Sequence, residues 1–120
     1  MNSVNNVINI SVVKDFHNKP KGRYADDAPG CEKTAGEVFR KNILLDAINN
    51  YEKVIVDLSG YNRYGRSFLD EAFAGLISRE GLTKDVLDSK LEVKHDSVPK
   101  FLEIINERIE AAENKRLNHE

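Results

Sequence analysis

The feature that most constrains the fold is a short, nearly uninterrupted apolar run, KVIVDL, at residues 53–58. A run of this length and composition is typical of a central parallel strand that is covered on both faces. Eight loop-like residues with two glycines and two arginines follow it, and then SFLDEAFAGLISREG places apolar residues at helical spacing. We therefore expect an α/β domain built around this strand.

The other segments complete a small, mixed and mostly parallel sheet with helices packed on it. Thr34 and Glu37 have the spacing of a capping box, which predicts a helix start. VINISVV alternates apolar and polar residues, as expected of a strand at or near an edge. In chain order we predict a strand at 7–13, a long loop at 14–33, a helix at 34–50, the strand at 53–58, a helix at 67–80, a strand at 90–96 and a helix at 98–113, the helices forming one layer.

Composition limits the class of protein. The 120 residues, 40% of them hydrophobic, suffice for one domain, which we predict over 1–113 with a frayed tail at 114–120. The formal net charge of −2, with interspersed signs, argues against nucleic acid as a partner. The single cysteine, Cys31, excludes an internal disulfide and fits a reducing cytosol. Without a leader or an apolar run of ~18 residues, we expect a soluble cytoplasmic protein with no membrane partner.

Four segments together carry a family resemblance: KGRYADDAPG, AGEVFRKNILLDAI, KVIVDLSGYNRYGRSFLDEAFAGLI and LEVKH. Over residues 8–105 the chain resembles the STAS-like domain family of unknown function, whose relatives are the sulphate-transporter and anti-sigma-factor-antagonist domains. In the antagonists, a partner kinase phosphorylates the serine of an Asp-Ser-Ser/Ala-Gly motif at a helix start. Gly65-Arg66-Ser67-Phe68 fills that place here, so a serine is kept and the acid before it is not. The resemblance implies a regulatory protein-binding domain, with a histidine-kinase-type ATP-binding protein as the partner class.

Ser67 has two compatible interpretations. As the N-cap of helix 67–80, its hydroxyl accepts a hydrogen bond from a free backbone amide and stabilises the helix by ~1 kcal/mol. As a phosphorylation site, it adds a charge near −2 at the positive end of the helix, where Arg63 or Arg66 can pair with it. Capping alone is the more common role of such a serine.

The loop before Ser67 also suggests an anion site. Gly60 and Gly65 allow a tight turn after the strand, and Arg63 and Arg66 lie just before a helix N-terminus. A phosphate or carboxylate fits such a place, although the GxxxxGK[ST] spacing of nucleoside triphosphatases is missing. Exposed loop arginines are more often only solvated, so this remains the alternative hypothesis, an anion or nucleotide sensor.

Several further residues belong to the candidate contact surface. The family resemblance suggests Arg23, for which a structural ion pair with Asp26, Asp27 or Asp70 is the favoured interpretation. Tyr61 and Tyr64 flank Arg63, and they either form an interaction hot spot or cover the end of the sheet. If the protein switches partners, the contact surface consists of the loop 61–67 and the exposed side of helix 67–80, including Asp70, Glu71 and Arg79.

Catalysis is the least supported function, and we expect neither an enzyme nor a cofactor. His17 and His95 have no metal-ligand spacing and are best explained as scattered surface residues. Cys31 lies in a polar loop without a helix dipole or a histidine nearby in sequence. We therefore rank a non-enzymatic regulatory module first, the sensor second and a hydrolase third. Homodimerisation through a sheet edge stays open.

Overall fold

A computed structural model describes residues 6–118. Its sheet has three strands in the order β1–β2–β3, and both pairs of neighbours are parallel. Strand β1 is Val7–Ser11, β2 is Lys53–Asp57 and β3 is Leu91–Lys94. This confirms the predicted α/β fold. The sheet was predicted to be mixed and mostly parallel, and its described strands are all parallel, because each connection between them crosses over through a helix.

Within residues 6–118, four helices accompany the sheet. They are α1 at 36–50, α2 at 66–78, α3 at Lys84–Lys90 and α4 at Lys100–Asn118. The middle of α1, Arg40–Leu44, and the middle of α2, Asp70–Ala74, are π-helical. A further π-helical turn lies at Val12–Phe16 and a 3₁₀ turn at Cys31–Lys33.

The helices cover one face of the sheet. On β2, Val54 and Val56 are fully buried, whereas Ile55 between them is only partly buried and pairs with Asn9 and Glu92, which are exposed. The expectation that the central strand is covered on both faces was therefore wrong. With three parallel strands in sequential order, crossovers of one hand all lie on the same side of the sheet.

The core lies between this face and the helices. Phe39 of α1 is in contact with Phe16, Phe68 and Phe73, at ring-centroid distances of 5.3, 6.3 and 6.2 Å. Leu69, Phe73 and Leu76 of α2 have no exposed surface, which confirms the amphipathic pattern predicted for this helix. The helical spacing of apolar residues thus places α2 against the sheet.

Two element boundaries differ from the sequence prediction because side chains make other hydrogen bonds. Strand β1 ends at Ser11, whose hydroxyl accepts from the Lys14 amide at 3.2 Å and caps the π-helical turn. Helix α1 begins at Gly36, so the predicted capping box at Thr34 and Glu37 is absent. The Thr34 hydroxyl donates to the Lys21 carbonyl oxygen at 2.8 Å instead.

Two other differences concern helical segments. Helix α3 was not predicted; the Thr83 hydroxyl caps it by accepting from the Val86 amide at 3.3 Å. Helix α4 continues to Asn118, past residue 113 at which the predicted helix ends, although the side chains of residues 114–118 are exposed. Helix α4 packs against α2, so the helical layer continues to this edge of the fold.

Candidate functional site

The loop between β2 and α2 is held in place by Tyr64. Its ring is 5% exposed and contacts Tyr61 and Phe101 edge to face, at centroid distances of 5.1 and 5.3 Å. Its hydroxyl donates to the Leu58 carbonyl oxygen at 3.0 Å, and burial raises the pKa of Tyr64 well above its usual range. Of the two roles considered for Tyr64, the structure shows that it covers the end of the sheet.

Ser67 lies on the first turn of α2 rather than before it. Gly65 occupies the N-cap position with an extended backbone, φ −83° and ψ 155°, and no described side chain caps the helix start. The prediction that Ser67 is the N-cap was therefore wrong, because the helix begins one residue earlier, at Arg66. The Ser67 side chain is exposed, as are Arg63 and Arg66, and Arg66 forms a 2.9 Å ion pair with Glu107.

The loop after β3 contacts the same end of the sheet. The His95 side chain is fully buried, which corrects its assignment as a surface residue. Its Nδ1 accepts from the amides of Ser97 and Val98, so its Nε2 carries the proton and donates to the Tyr61 carbonyl oxygen at 3.0 Å. His95 thus connects this loop to the loop that precedes α2.

The middle of α2 carries a buried carboxylate surrounded by arginines. Glu71 is 3% exposed, and its Oε2 accepts from Arg40 Nη1 at 2.9 Å and from Arg79 Nε at 3.1 Å. Its Oε1 accepts from Arg23 Nη1 at 3.3 Å. Glu71 was predicted on the exposed side of the helix, and this was wrong: α1 packs against this part of α2, and its Arg40 covers Glu71.

Asp70 joins α2 to the long loop and to α4. Its two oxygens accept from Arg23 at 2.7 Å and from Arg108 at 3.1 Å. Although partial burial acts to raise it, the pKa of Asp70 is lowered by these two arginine hydrogen bonds. Of the three ion pairs considered for Arg23, the one with Asp70 is confirmed; Asp27 instead accepts from the Arg23 backbone amide at 3.0 Å.

Arg79 and Tyr24 complete this group of side chains. The Arg79 guanidinium lies over the Tyr24 ring at 5.6 Å and donates to the Tyr24 hydroxyl at 2.7 Å. A cavity of about 290 Å³ opens beside them, lined by Tyr24, Glu37, Arg40, Lys41, Glu71, Arg79 and Glu80. Its charged side chains are already paired with one another, so the network holds α1, α2 and the long loop together.

Comparison with known proteins decides the family. A family model described as a STAS-like domain of unknown function matches residues 35–101, which is more than half of the chain. The chain belongs to this family. No curated protein and no solved structure matches it. The match includes α1, β2, α2 and β3, so every residue of the loop before α2 lies within the STAS-like region.

The candidate residues of the STAS-like domain fall into two groups. Gly60, Tyr61, Arg63, Tyr64, Gly65, Arg66 and Ser67 lie together at the carboxyl end of β2, and Arg23, Asp70 and Glu71 lie in the ion network. Neither of the two cavities described here includes a residue of the loop before α2. The ion network is therefore structural, whereas the loop and Ser67 are open to solvent on one side.

One member of the buried ion network, Arg40, was not predicted from the sequence. It is 1% exposed and donates to the Glu71 carboxylate, to the Glu71 carbonyl oxygen and to Glu80. The available signal was its spacing: Arg40 lies four residues before Leu44, on the same face of α1 as the apolar stripe. A charged residue at such a position predicts a buried ion pair.

Residues 6–118 contain few other groups that could carry chemistry. Cys31 is a buried free thiol in the 3₁₀ turn. Within that part of the chain, no group of three or more histidine, cysteine, aspartate or glutamate side chains has the geometry of a metal site. No helix there is both long and apolar enough to cross a membrane.

Proposed function

We propose that this STAS-like domain is a small, non-catalytic regulatory module that binds a protein partner in the manner of an anti-sigma-factor antagonist. The observation that carries the proposal is the exposed Ser67 hydroxyl on the first turn of α2, beside the exposed Arg63 and Arg66. The start of this helix has no side-chain cap among the described residues, so its amides can face a partner or an added phosphate.

The acidic residues near this surface support a binding role over a catalytic one. Asp70 and Glu71 are the nearest carboxylates along α2, and each is held by at least two arginines. A carboxylate fixed in this way is a poor nucleophile or general base, because its charge is already stabilised. The residues free to act are the exposed loop side chains and the serine.

Phosphorylation of Ser67 would act on binding without unfolding the domain. A phosphate adds a charge near −2 within the first turn of a helix, where the helix dipole favours negative charge. The same charge changes the electrostatic match with a partner that docks on the loop. We propose that a kinase of the histidine-kinase type, which binds ATP, is both the partner and the source of the phosphate.

Two variants of Ser67 test the proposal. Since Ser67 is not the cap, the free energy of unfolding of Ser67→Ala should lie within about 0.5 kcal/mol of the wild-type value. That of Ser67→Asp should be higher by roughly 0.3–1 kcal/mol, because the helix dipole favours the added negative charge. We expect affinity capture from the native cells to recover the same partner with wild type and Ser67→Ala. Ser67→Asp should recover at least about tenfold less, which corresponds to 1.4 kcal/mol.

Asn114→Asp is the matched control, because it adds the same charge at an exposed position of α4. It should capture the partner as wild type does. Mass spectrometry of the protein from its native cells then reports whether Ser67 carries phosphate. The proposal fails if Ser67→Asp and Asn114→Asp capture the partner equally well.

A further inference from the structure

The outer edge of β3 has unused hydrogen-bonding groups. Among residues 6–118, β3 pairs with β2 on one side and with no strand on the other. The Lys94 carbonyl oxygen accepts from the Leu58 amide at 2.8 Å, so Lys94 faces β2. Since backbone groups alternate in direction along a strand, the N–H and C=O of Val93 point to the free edge.

An apolar groove runs beneath this edge. It is a cavity of about 470 Å³ between β3, α3 and α4, and its lining includes Lys84, which pairs with Asp88 at 2.8 Å and with Glu110 at 3.7 Å. Its apolar lining consists of Leu87, Leu91, Val93, Leu102, Ile105 and Ile109. A strand added beside β3 would cover this lining, whose burial is favourable.

The charges on β3 are complementary to those of a second β3. Glu92 and Lys94 are exposed on the face of the sheet that no helix covers. If two copies pair antiparallel about Val93, Glu92 of each copy lies directly opposite Lys94 of the other. Opposite charges in such cross-strand positions attract, and the two-fold symmetry makes the contact twice.

The edge of β1 lacks this complementarity. Its sequence, VINIS, has no charged residue. The Asn6 carbonyl oxygen faces β2, where it accepts from the Lys53 amide, so by alternation Ser11 faces outward. The outward Ser11 amide already donates to Asp15 at 2.8 Å. The groove, the free backbone groups and the paired charges therefore occur together only at β3.

We propose that a second copy of this chain binds at β3, forming an antiparallel pair and one continuous sheet across the dimer. Val93 of each copy exchanges two backbone hydrogen bonds with Val93 of the other. The Leu91 amide already donates to the Leu87 carbonyl oxygen, which leaves the Leu91 carbonyl oxygen to accept from His95 of the second copy. This inference is independent of the proposed function.

Charge reversal tests the register by sedimentation velocity. Wild type should form a reversible dimer in the micromolar to millimolar range. Glu92→Lys and Lys94→Glu each place like charges opposite one another at two positions, so each variant alone should dimerise at least about tenfold more weakly. An equimolar mixture of the two variants restores both opposite-charge pairs, and we expect a heterodimer at wild-type affinity.

The controls match net charge. Lys14→Glu and Glu52→Lys make the same changes in net charge at exposed residues outside β3, and both variants should dimerise as wild type does. Circular dichroism confirms that each variant is folded; if a reversal is not, Glu92→Gln or Lys94→Gln replaces it and should still weaken dimerisation. The proposal is overturned if wild type stays monomeric, if the reversals leave the dimer unchanged, or if the mixture fails to associate.

Discussion

Arg40 and Glu71 place two opposite charges inside the protein, where their side chains are 2% and 4% exposed. Removing a charge from water costs several kcal/mol unless a partner and further hydrogen bonds replace the lost solvation. Both conditions are met: Glu71 accepts from three arginines, and Arg40 also donates to Glu80. The network therefore costs little while it is complete, and much when one member is removed.

We expect Glu71→Gln to lower the free energy of unfolding by roughly 3–5 kcal/mol, because Arg40 then stays buried with only part of its charge compensated. Urea denaturation followed by circular dichroism measures the change. Glu107→Gln is the matched control: it removes an exposed partner of Arg66 and should leave the free energy of unfolding nearly unchanged. Equal effects of the two substitutions would contradict the role assigned to burial.

Asp70 makes stability depend on pH in the acid range. Its folded-state pKa lies below the unfolded value of about 3.9, so its contribution is complete above that pH and is lost as pH falls through the folded pKa. Asp70→Asn should cost about 1–3 kcal/mol at pH 7, and this difference should shrink below about pH 4. Urea denaturation of wild type and Asp70→Asn at several values between about pH 2 and pH 7 measures this difference.

A pH-independent difference would show that Asp70 acts through packing rather than charge. Asp88→Asn serves as the control, since Asp88 is exposed and pairs with Lys84 at the surface of α3. Its effect should be under about 1 kcal/mol at any pH.

At the residue scale, one ion pair of the buried network was among those predicted, and the family resemblance had pointed to its arginine. The ion pair of Arg23 with Asp70 was considered and is present. The buried position of Glu71 was missed, because the apolar pattern of α2 does not show that arginines of α1 and of the long loop cover a second side of the helix. The cap was assigned to Ser67 because serine is preferred there, whereas the chain uses Gly65.

The two central helices meet through small residues. A Cβ atom added at Gly36 would lie 2.5 Å from the Phe68 carbonyl oxygen and 3.1 Å from the Ala72 amide nitrogen. These are backbone atoms of α2, which can move apart only if the whole helix shifts. Gly75 has a similar role, because the Arg40 side chain occupies the space that a Cβ there would need.

Gly36→Ala should therefore destabilise the domain by roughly 1–3 kcal/mol, as overpacking does in a well-packed core. The effect is opposite to the usual gain from replacing glycine in a helix. Gly65→Ala is the control, since no atom lies within 4 Å of the added Cβ and φ is −83°. It should change stability by less than about 1 kcal/mol, and a tolerated Gly36→Ala would mean that the helices can separate.

Element prediction worked where the apolar period was strong. The spacing of Leu69, Phe73 and Leu76 predicted α2 and its buried face, and both are observed. Helix α3 has only seven residues with one buried side chain, Leu87, so it carries almost no periodic signal. The apolar run of β2 suggested two covered faces, yet Ile55 lies on the face without helices, because an apolar run does not by itself fix what lies on each side.

On the scale of the whole molecule, the family match and the folding unit do not end at the same residue. The match stops at residue 101, near the start of α4. Beyond it, Ile105 and Ile109 are 2% and 7% exposed in the core, and Arg108 pairs with Asp70. From 114 onward the side chains of α4 are exposed, so the core should depend on α4 only as far as residue 113.

Two shortened chains test this boundary. For a chain that ends at residue 113, the free energy of unfolding should lie within about 1 kcal/mol of the full-chain value. This chain loses only exposed side chains, including the Arg116 partner of Glu113 in a surface ion pair, and such pairs contribute little. A chain that ends at residue 101 loses Ile105 and Ile109, each worth about 2–5 kcal/mol, against a total stability of about 5–15 kcal/mol. We expect it to lack a cooperative urea transition. The full chain carrying Ile105→Ala and Ile109→Ala is its control and should show most of the same loss. If the chain ending at 101 unfolds cooperatively at the wild-type midpoint, α4 is an appendage and the core closes without it.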